Sequence, residues 1–156
     1  MIREGDVAPE FSLQGSDGRE HSLRDYRGKT VIIYFYPRDN TPGCTKEACG
    51  FRDSHALLEN LNAVVLGVSK DSLKSHDKFI RDFTLPFTLL SDPDLGMMKA
   101  YGAYGEKIMY GKTVEGCIRS TVVVNPDGKV LKHWKKVTKA ETHPQDVIKF
   151  LEESGT

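Results

Sequence analysis

Apolar residues in this chain fall into short unbroken runs separated by amphipathic stretches, the pattern expected of strands buried on both faces by the helices that connect them. The run Val31-Ile32-Ile33-Tyr34-Phe35-Tyr36, β-branched and aromatic without alternation, predicts a central strand. Ala63 to Val68 and Thr88-Leu89-Leu90 predict two more. Between the first two, the loop Arg38-Asp39-Asn40-Thr41-Pro42-Gly43 leads into a helix predicted to run to about Leu61, with Ala48, Phe51, His55 and Leu58 as its inward stripe. A second helix is predicted over Asp71 to Phe83 with an acidic first turn, and a shorter one starting at Asp92-Pro93-Asp94. Ala8 to Leu13 and His21 to Leu23 flank the turn residues Gly15-Ser16-Asp17-Gly18 as a small N-terminal hairpin. Arg119 to Val124 and Lys129 to Trp134 form another around Asn125-Pro126-Asp127-Gly128, and a helix from about Pro144 to Glu153 closes the chain with Val147, Ile148 and Leu151 inward. No element is assigned between Tyr101 and Ile118. The order predicts an α/β domain: one mixed central sheet with helices on both faces.

Composition narrows the function classes. The 156 residues suit one domain spanning 1–156, and 22 basic residues balance 22 acidic ones, which leaves no field to hold nucleic acid or an acidic membrane. The apolar runs fall far short of the roughly 20 residues a membrane helix needs, and the charged N-terminus is unlike a signal peptide, so the expected location is cytoplasmic. The basic cluster Lys132-His133-Trp134-Lys135-Lys136 with Lys139 reads as a solvated face. Three cysteines, an odd number, do not make a disulfide framework; in a reducing compartment they are free, metal-bound or catalytic.

Cys44 is the candidate nucleophile. It follows Thr41-Pro42-Gly43 at the first turn of the long predicted helix, where free N–H groups and the positive end of the helix dipole favour a thiolate. Cys49 lies five residues on, a spacing unlike the close-paired Cys-x-x-Cys redox motif or a zinc knuckle. His55 shares a helix face with Cys44 but sits about 16 Å along the axis. His21, His76, His133 and His143 form no metal-like spacing and read as ordinary surface or core residues. Arg119, at the start of an otherwise apolar strand, is the charged residue in need of a partner, with Cys117 two positions before it.

The segment Tyr34-Phe35-Tyr36-Pro37-Arg38-Asp39-Asn40-Thr41-Pro42-Gly43-Cys44-Thr45-Lys46-Glu47-Ala48-Cys49 resembles the active-site segment of peroxiredoxins of the bacterioferritin comigratory protein, or peroxiredoxin Q, type. The resemblance includes Gly5 to Phe11, Tyr101-Gly102 to Lys112, and Gly116-Cys117-Ile118-Arg119-Ser120-Thr121, and so covers most of the chain. It implies a thioredoxin-like fold, one of the plans the element order permits, and a monomeric thiol peroxidase acting on hydrogen peroxide and organic hydroperoxides. By position it makes Cys44 the peroxidatic thiol and Cys49 the resolving thiol of an intramolecular disulfide, recycled by thioredoxin or a similar dithiol. It makes Thr41 a hydrogen-bonding partner of thiolate and peroxide, Pro37 a shield, and Arg119 the group that holds the thiolate and polarises the O–O bond. No metal or organic cofactor is implied. Glu47 matches the motif, with a first-turn carboxylate as its sufficient role; Cys117 lies outside the two-cysteine scheme, and Tyr104 stands where many relatives carry tryptophan. On an ideal helix the Cα atoms of Cys44 and Cys49 are about 8.5 Å apart, beyond the roughly 7 Å that a disulfide tolerates, so that bond requires the helix start to unwind. The alternative is a peroxide sensor that uses the same disulfide as a switch without efficient turnover.

Overall fold

The computed structural model describes residues 2–154. Strand β3 (Thr30–Phe35) occupies the centre of a five-stranded sheet in the order β5-β4-β3-β8-β9, where β4 is Ala63–Ser69, β5 is Thr88–Ser91, β8 is Ser120–Val124 and β9 is Val130–Trp134. The pairs β3–β4 and β4–β5 run parallel; β3–β8 and β8–β9 run antiparallel. All six residues of β3 are buried, which is why its sequence shows no alternation. Its side chains still alternate between two cores. Val31, Ile33 and Phe35 pack with Phe11, Leu23, Met97, Met98 and Tyr101; Ile32 and Tyr34 pack with Ala48, Phe51, Phe79, Val147 and Leu151.

Helices cover both faces, unequally. On the Tyr34 side lie α1 (Pro42–Asp53), α2 (His55–Asn60), α3 (Leu73–Phe83) and α5 (His143–Glu153); on the other lie α4 (Gly96–Ala100) and the N-terminal segment with its hairpin β1 (Ser12–Gln14) and β2 (Glu20–Ser22). Gly50 lets α1 meet α5, since a Cβ there would sit 2.7 Å from the Pro144 ring. Gly67 does the same for Tyr34, whose hydroxyl lies 2.9 Å from where a Cβ would stand.

Several predicted boundaries need correction. The long helix is not continuous to Leu61: it breaks at Ser54, within Asp53-Ser54, two residues whose side chains compete for backbone hydrogen bonds. The second helix lacks the expected acidic first turn, because Asp71 lies outside it and Ser72 is the N-cap, accepting the Ser75 N–H at 3.2 Å. The short helix α4 starts at Gly96, and Asp92 serves it from outside by accepting the Met98 N–H at 2.9 Å. Between Tyr101 and Ile118, a separate antiparallel hairpin, β6 (Tyr104–Met109) with β7 (Lys112–Cys117), stands apart from the main sheet. Its turn, Tyr110-Gly111, has φ of 54° and 77°. With tyrosine where asparagine or aspartate is usual, it gives no hairpin signal in the sequence.

Candidate active site

The exit of β3 builds the site. Pro37 ends the strand, Asn40 turns the chain with a φ of 63°, and Thr41 is the N-cap of α1. Pro42 suits the first helical turn because it has no N–H to leave unsatisfied. The Thr45 N–H donates to Thr41 O at 2.8 Å, while the N–H groups of Gly43 and Cys44 find no acceptor among the described residues. They point out of the helix start beside the Cys44 side chain, forming a site for negative charge.

Arg119 meets Cys44 there. It does not open β8, as its sequence position suggests, but lies in the two-residue join between β7 and β8; Cys117 therefore belongs to a different strand from Ser120. The join is pinned by Ile118 N–H donating to Ala103 O and Val137 N–H to Arg119 O, both at 2.7 Å. From it, the guanidinium donates through one arm to Cys44 Sγ at 3.2 Å and through the other to Glu47 Oε1 at 2.7 Å. Such a fork fixes both position and direction of the positive charge.

Glu47 is not the first-turn carboxylate expected, because α1 starts at Pro42 and places it in the second turn. It is fully buried, one turn along α1 from Cys44, and its Oε2 has no partner among the described residues. Burial pushes its carboxyl up to about 7, with the Arg119 guanidinium limiting the rise. Burial also pulls on Arg119, but Glu47 and Cys44 outweigh it and hold the guanidinium above its ordinary value. Beneath them lies the buried Tyr34, whose hydroxyl has no partner among the described residues and whose ionisation is opposed by desolvation and then by the charges of Glu47 and Cys44.

The other candidates are placed as follows. Thr41 does not bond Cys44 here: its hydroxyl donates to Arg38 O at 2.9 Å, leaving the oxygen lone pairs for an incoming donor. Pro37 and Arg119 share the wall of a cavity of about 230 Å³ with Ile118, Val137, Cys117, Lys107, Lys136 and Glu106. A second cavity, of about 240 Å³, lies by Lys29, His55 and Phe87 at the other end of the sheet, and no cysteine lines it. Cys49 is half-buried on the same helix as Cys44, and all three thiols are free. Burial pushes the Cys117 thiol up to about 12, so it rests protonated at the cavity edge. His55 is absent from the site, paired with Glu59 at 3.0 Å in α2. The Lys132–Lys136 segment is not a continuous basic face, since His133 is buried and Lys132 lies over the Trp134 and Phe150 rings.

Missed by sequence reasoning are Glu47 as the anchor of Arg119 and His76, which is buried against Asp39 at 2.7 Å. The signal for Glu47 was available: position i+3 from Cys44 lies on the same helix face. For His76, 37 residues from its partner, there was none.

A thioredoxin-like sheet with a cysteine at a helix N-terminus, held by an arginine that is anchored on a buried glutamate, defines a cysteine-dependent redox enzyme. The AhpC/TSA family matches residues 5–133. The chain is 46% identical over 147 residues to a Coxiella burnetii protein described as a putative peroxiredoxin bcp, covering 94% of this chain and 97% of that one. It is 41% identical over 152 residues to peroxiredoxin Bcp of Bacillus subtilis, covering 97% and 96%. Among solved structures, PrxQ of Xylella fastidiosa superposes with a TM-score of 0.92 at 34% identity, covering 100% of this chain and 99% of that one. The bacterioferritin comigratory protein of Xanthomonas campestris, described with its alkyl peroxide reduction activity, gives 0.90 at 36%, covering 100% and 99%. This chain belongs to the AhpC/TSA family, as a peroxiredoxin of the bacterioferritin comigratory protein, or peroxiredoxin Q, type, and is a thiol-dependent peroxidase. No helix among the described residues is long and apolar enough to cross a membrane.

Proposed function

We propose that the chain reduces hydrogen peroxide and organic hydroperoxides through Cys44, closes an intramolecular Cys44–Cys49 disulfide, and is recycled by thioredoxin. The Cys44 thiolate attacks the nearer peroxide oxygen; the O–O bond breaks, leaving a sulfenic acid on Cys44 and an alkoxide or hydroxide that takes a proton. The leaving oxygen gains negative charge, which the Arg119 guanidinium and the free N–H groups of Gly43 and Cys44 stabilise. Thr41, with its hydroxyl hydrogen directed at Arg38 O, accepts the peroxide O–H and orients it. Pro37 shields the pocket on the cavity side. The Cys49 thiol then displaces water from the sulfenic acid to form the disulfide. A dithiol reductant, two thiols for two electrons, returns both cysteines to the thiol form.

The single observation that carries this reading is the guanidinium donating to Cys44 Sγ at 3.2 Å while anchored on a buried carboxylate. The intact α1 corresponds to the state that reacts with peroxide, and the disulfide then needs the first turn of the helix to open. No step of this cycle calls for a second copy of the chain, so the proposal is of a monomer, and its need for a dithiol reductant places it in the reducing cytoplasm. The test is turnover of peroxide with thioredoxin, combined with mass mapping of the thiols after one equivalent of hydrogen peroxide. Cys44→Ser abolishes consumption; Cys49→Ser consumes one equivalent and stalls. A Cys44–Cys117 link, or full turnover by Cys49→Ser, refutes the assignment of Cys49. A disulfide that forms but is not recycled makes the protein a switch.

A further inference from the structure

The loop between β3 and α1 is held by a buried polar cluster that the chemistry above does not use. Asp39, 5% exposed, accepts the Tyr36 hydroxyl on Oδ1 at 2.6 Å; its Oδ2 accepts the Ser75 hydroxyl at 2.8 Å and faces His76 Nδ1 at 2.7 Å. The His76 ring, 0% exposed, turns Nε2 to Leu90 O at 3.0 Å. A carbonyl only accepts, so Nε2 carries a hydrogen. A neutral ring with that tautomer would set a lone pair against a carboxylate, so a second proton lies between Nδ1 and Oδ2 and the pair is a charge-assisted bond. The Asp39 backbone is fixed as well: its N–H donates to Asp71 Oδ2 at 2.8 Å, an oxygen that also accepts the Ser69 hydroxyl at 2.7 Å. Ligand atoms of Asp39, Asp71 and His76 lie within 4.8 Å of one another, but these bonds already engage them, so the cluster is a clamp and not a cation cage.

The clamp grips the chain two residues before Thr41 and five before Cys44. No side chain among the described residues caps α1, so its first turn depends on the loop for its place. We propose that His76 is a positioning residue for the peroxidatic step: through Asp39 it fixes the 37–41 loop so that the start of α1 presents Cys44 to Arg119. The same bond resists the opening that would let Cys44 reach Cys49, a consequence that rests on the resolving role proposed for Cys49. His76 thus favours reaction with peroxide and delays resolution.

Two substitutions separate this role from plain stability. In His76→Gln the amide nitrogen takes the place of Nε2 and reaches Leu90 O but not Asp39. In His76→Asn it takes the place of Nδ1 and donates to Asp39 but not to Leu90. Each removes one of the ring's two principal hydrogen bonds. In a Cys49→Ser background, stopped-flow oxidation of Cys44 by hydrogen peroxide is expected to slow tenfold or more for His76→Gln and to stay within threefold of the parent for His76→Asn. Amide exchange over residues 37–45 is expected to quicken only for His76→Gln. Equal slowing in both, or a parental rate in His76→Gln, overturns the proposal. Should His76→Gln not fold, Asp39→Asn/His76→Gln, which buries no unpaired charge, replaces it with the same expected slowing, and a parental rate refutes it. With Cys49 present, His76→Gln is expected to close the disulfide faster once the sulfenic acid has formed. Failure of the wild-type chain to form that disulfide sinks the resolving role alone and leaves the oxidation comparison to decide on His76.

Discussion

Replacing Glu47 by glutamine tests the electrostatics of the site through stability. Glutamine keeps an acceptor for the Arg119 arm now bonded at 2.7 Å and removes only the charge. Burial raises the Glu47 carboxyl from its ordinary 4.5 to about 7. Below pH 4.5 folded and unfolded chains both hold this proton; between 4.5 and 7 only the folded chain does, so stability falls as pH rises through that window and the loss is complete above it. Proton linkage makes the loss about 3 kcal/mol. His143 acts in the opposite sense. Burial pushes it from 6.5 down to about 4, so between those values only the unfolded chain takes a proton, and stability rises with pH. In the wild type the two slopes oppose each other over the shared range, and only the difference between variant and wild type exposes Glu47. Urea unfolding of the reduced proteins, followed by Trp134 fluorescence from pH 4.5 to 7.5, is the assay. With a denaturant slope of about 2 kcal/mol/M, the midpoint of Glu47→Gln should gain about 1.5 M on the wild type across the window. Parallel midpoint curves would show that Glu47 does not titrate there and refute the account of its burial.

Arg119→Met removes the donor to Cys44 and strands Glu47; single-turnover oxidation of Cys44 should slow by roughly 10²–10³-fold, as for loss of a preorganised transition-state donor, and a change of less than threefold would remove Arg119 from the mechanism. Gly50→Ala gains about 1 kcal/mol of helix propensity but drives a Cβ to 2.7 Å from the Pro144 ring, an overpacking cost of about 1–3 kcal/mol. Its melting temperature should therefore drop by a few degrees, and a rise would mean that α5 yields freely.

What the sequence determined by itself is what repeats locally. The run Val31 to Tyr36 had to be a strand buried on both faces, and the turn residues at 15–18 and 125–128 set two hairpins. Thr41-Pro42-Gly43 followed by Cys44 marked a helix start bearing a nucleophile, because capping and turn preferences act over three or four residues. The hairpin over 104–117 escaped notice because its turn uses Tyr110, a residue held at positive φ by the pairing on either side rather than by its own preference. Only the tertiary structure could decide which charge meets Cys44. Arg119 is 75 residues away in sequence and arrives from a join between two strands, and Glu47 becomes its anchor only once the packed core has excluded water from the carboxylate. The same holds for His76 and Asp39: apart, each is an ordinary polar residue, and burial together makes them a clamp, because a charge removed from water persists only beside its partner.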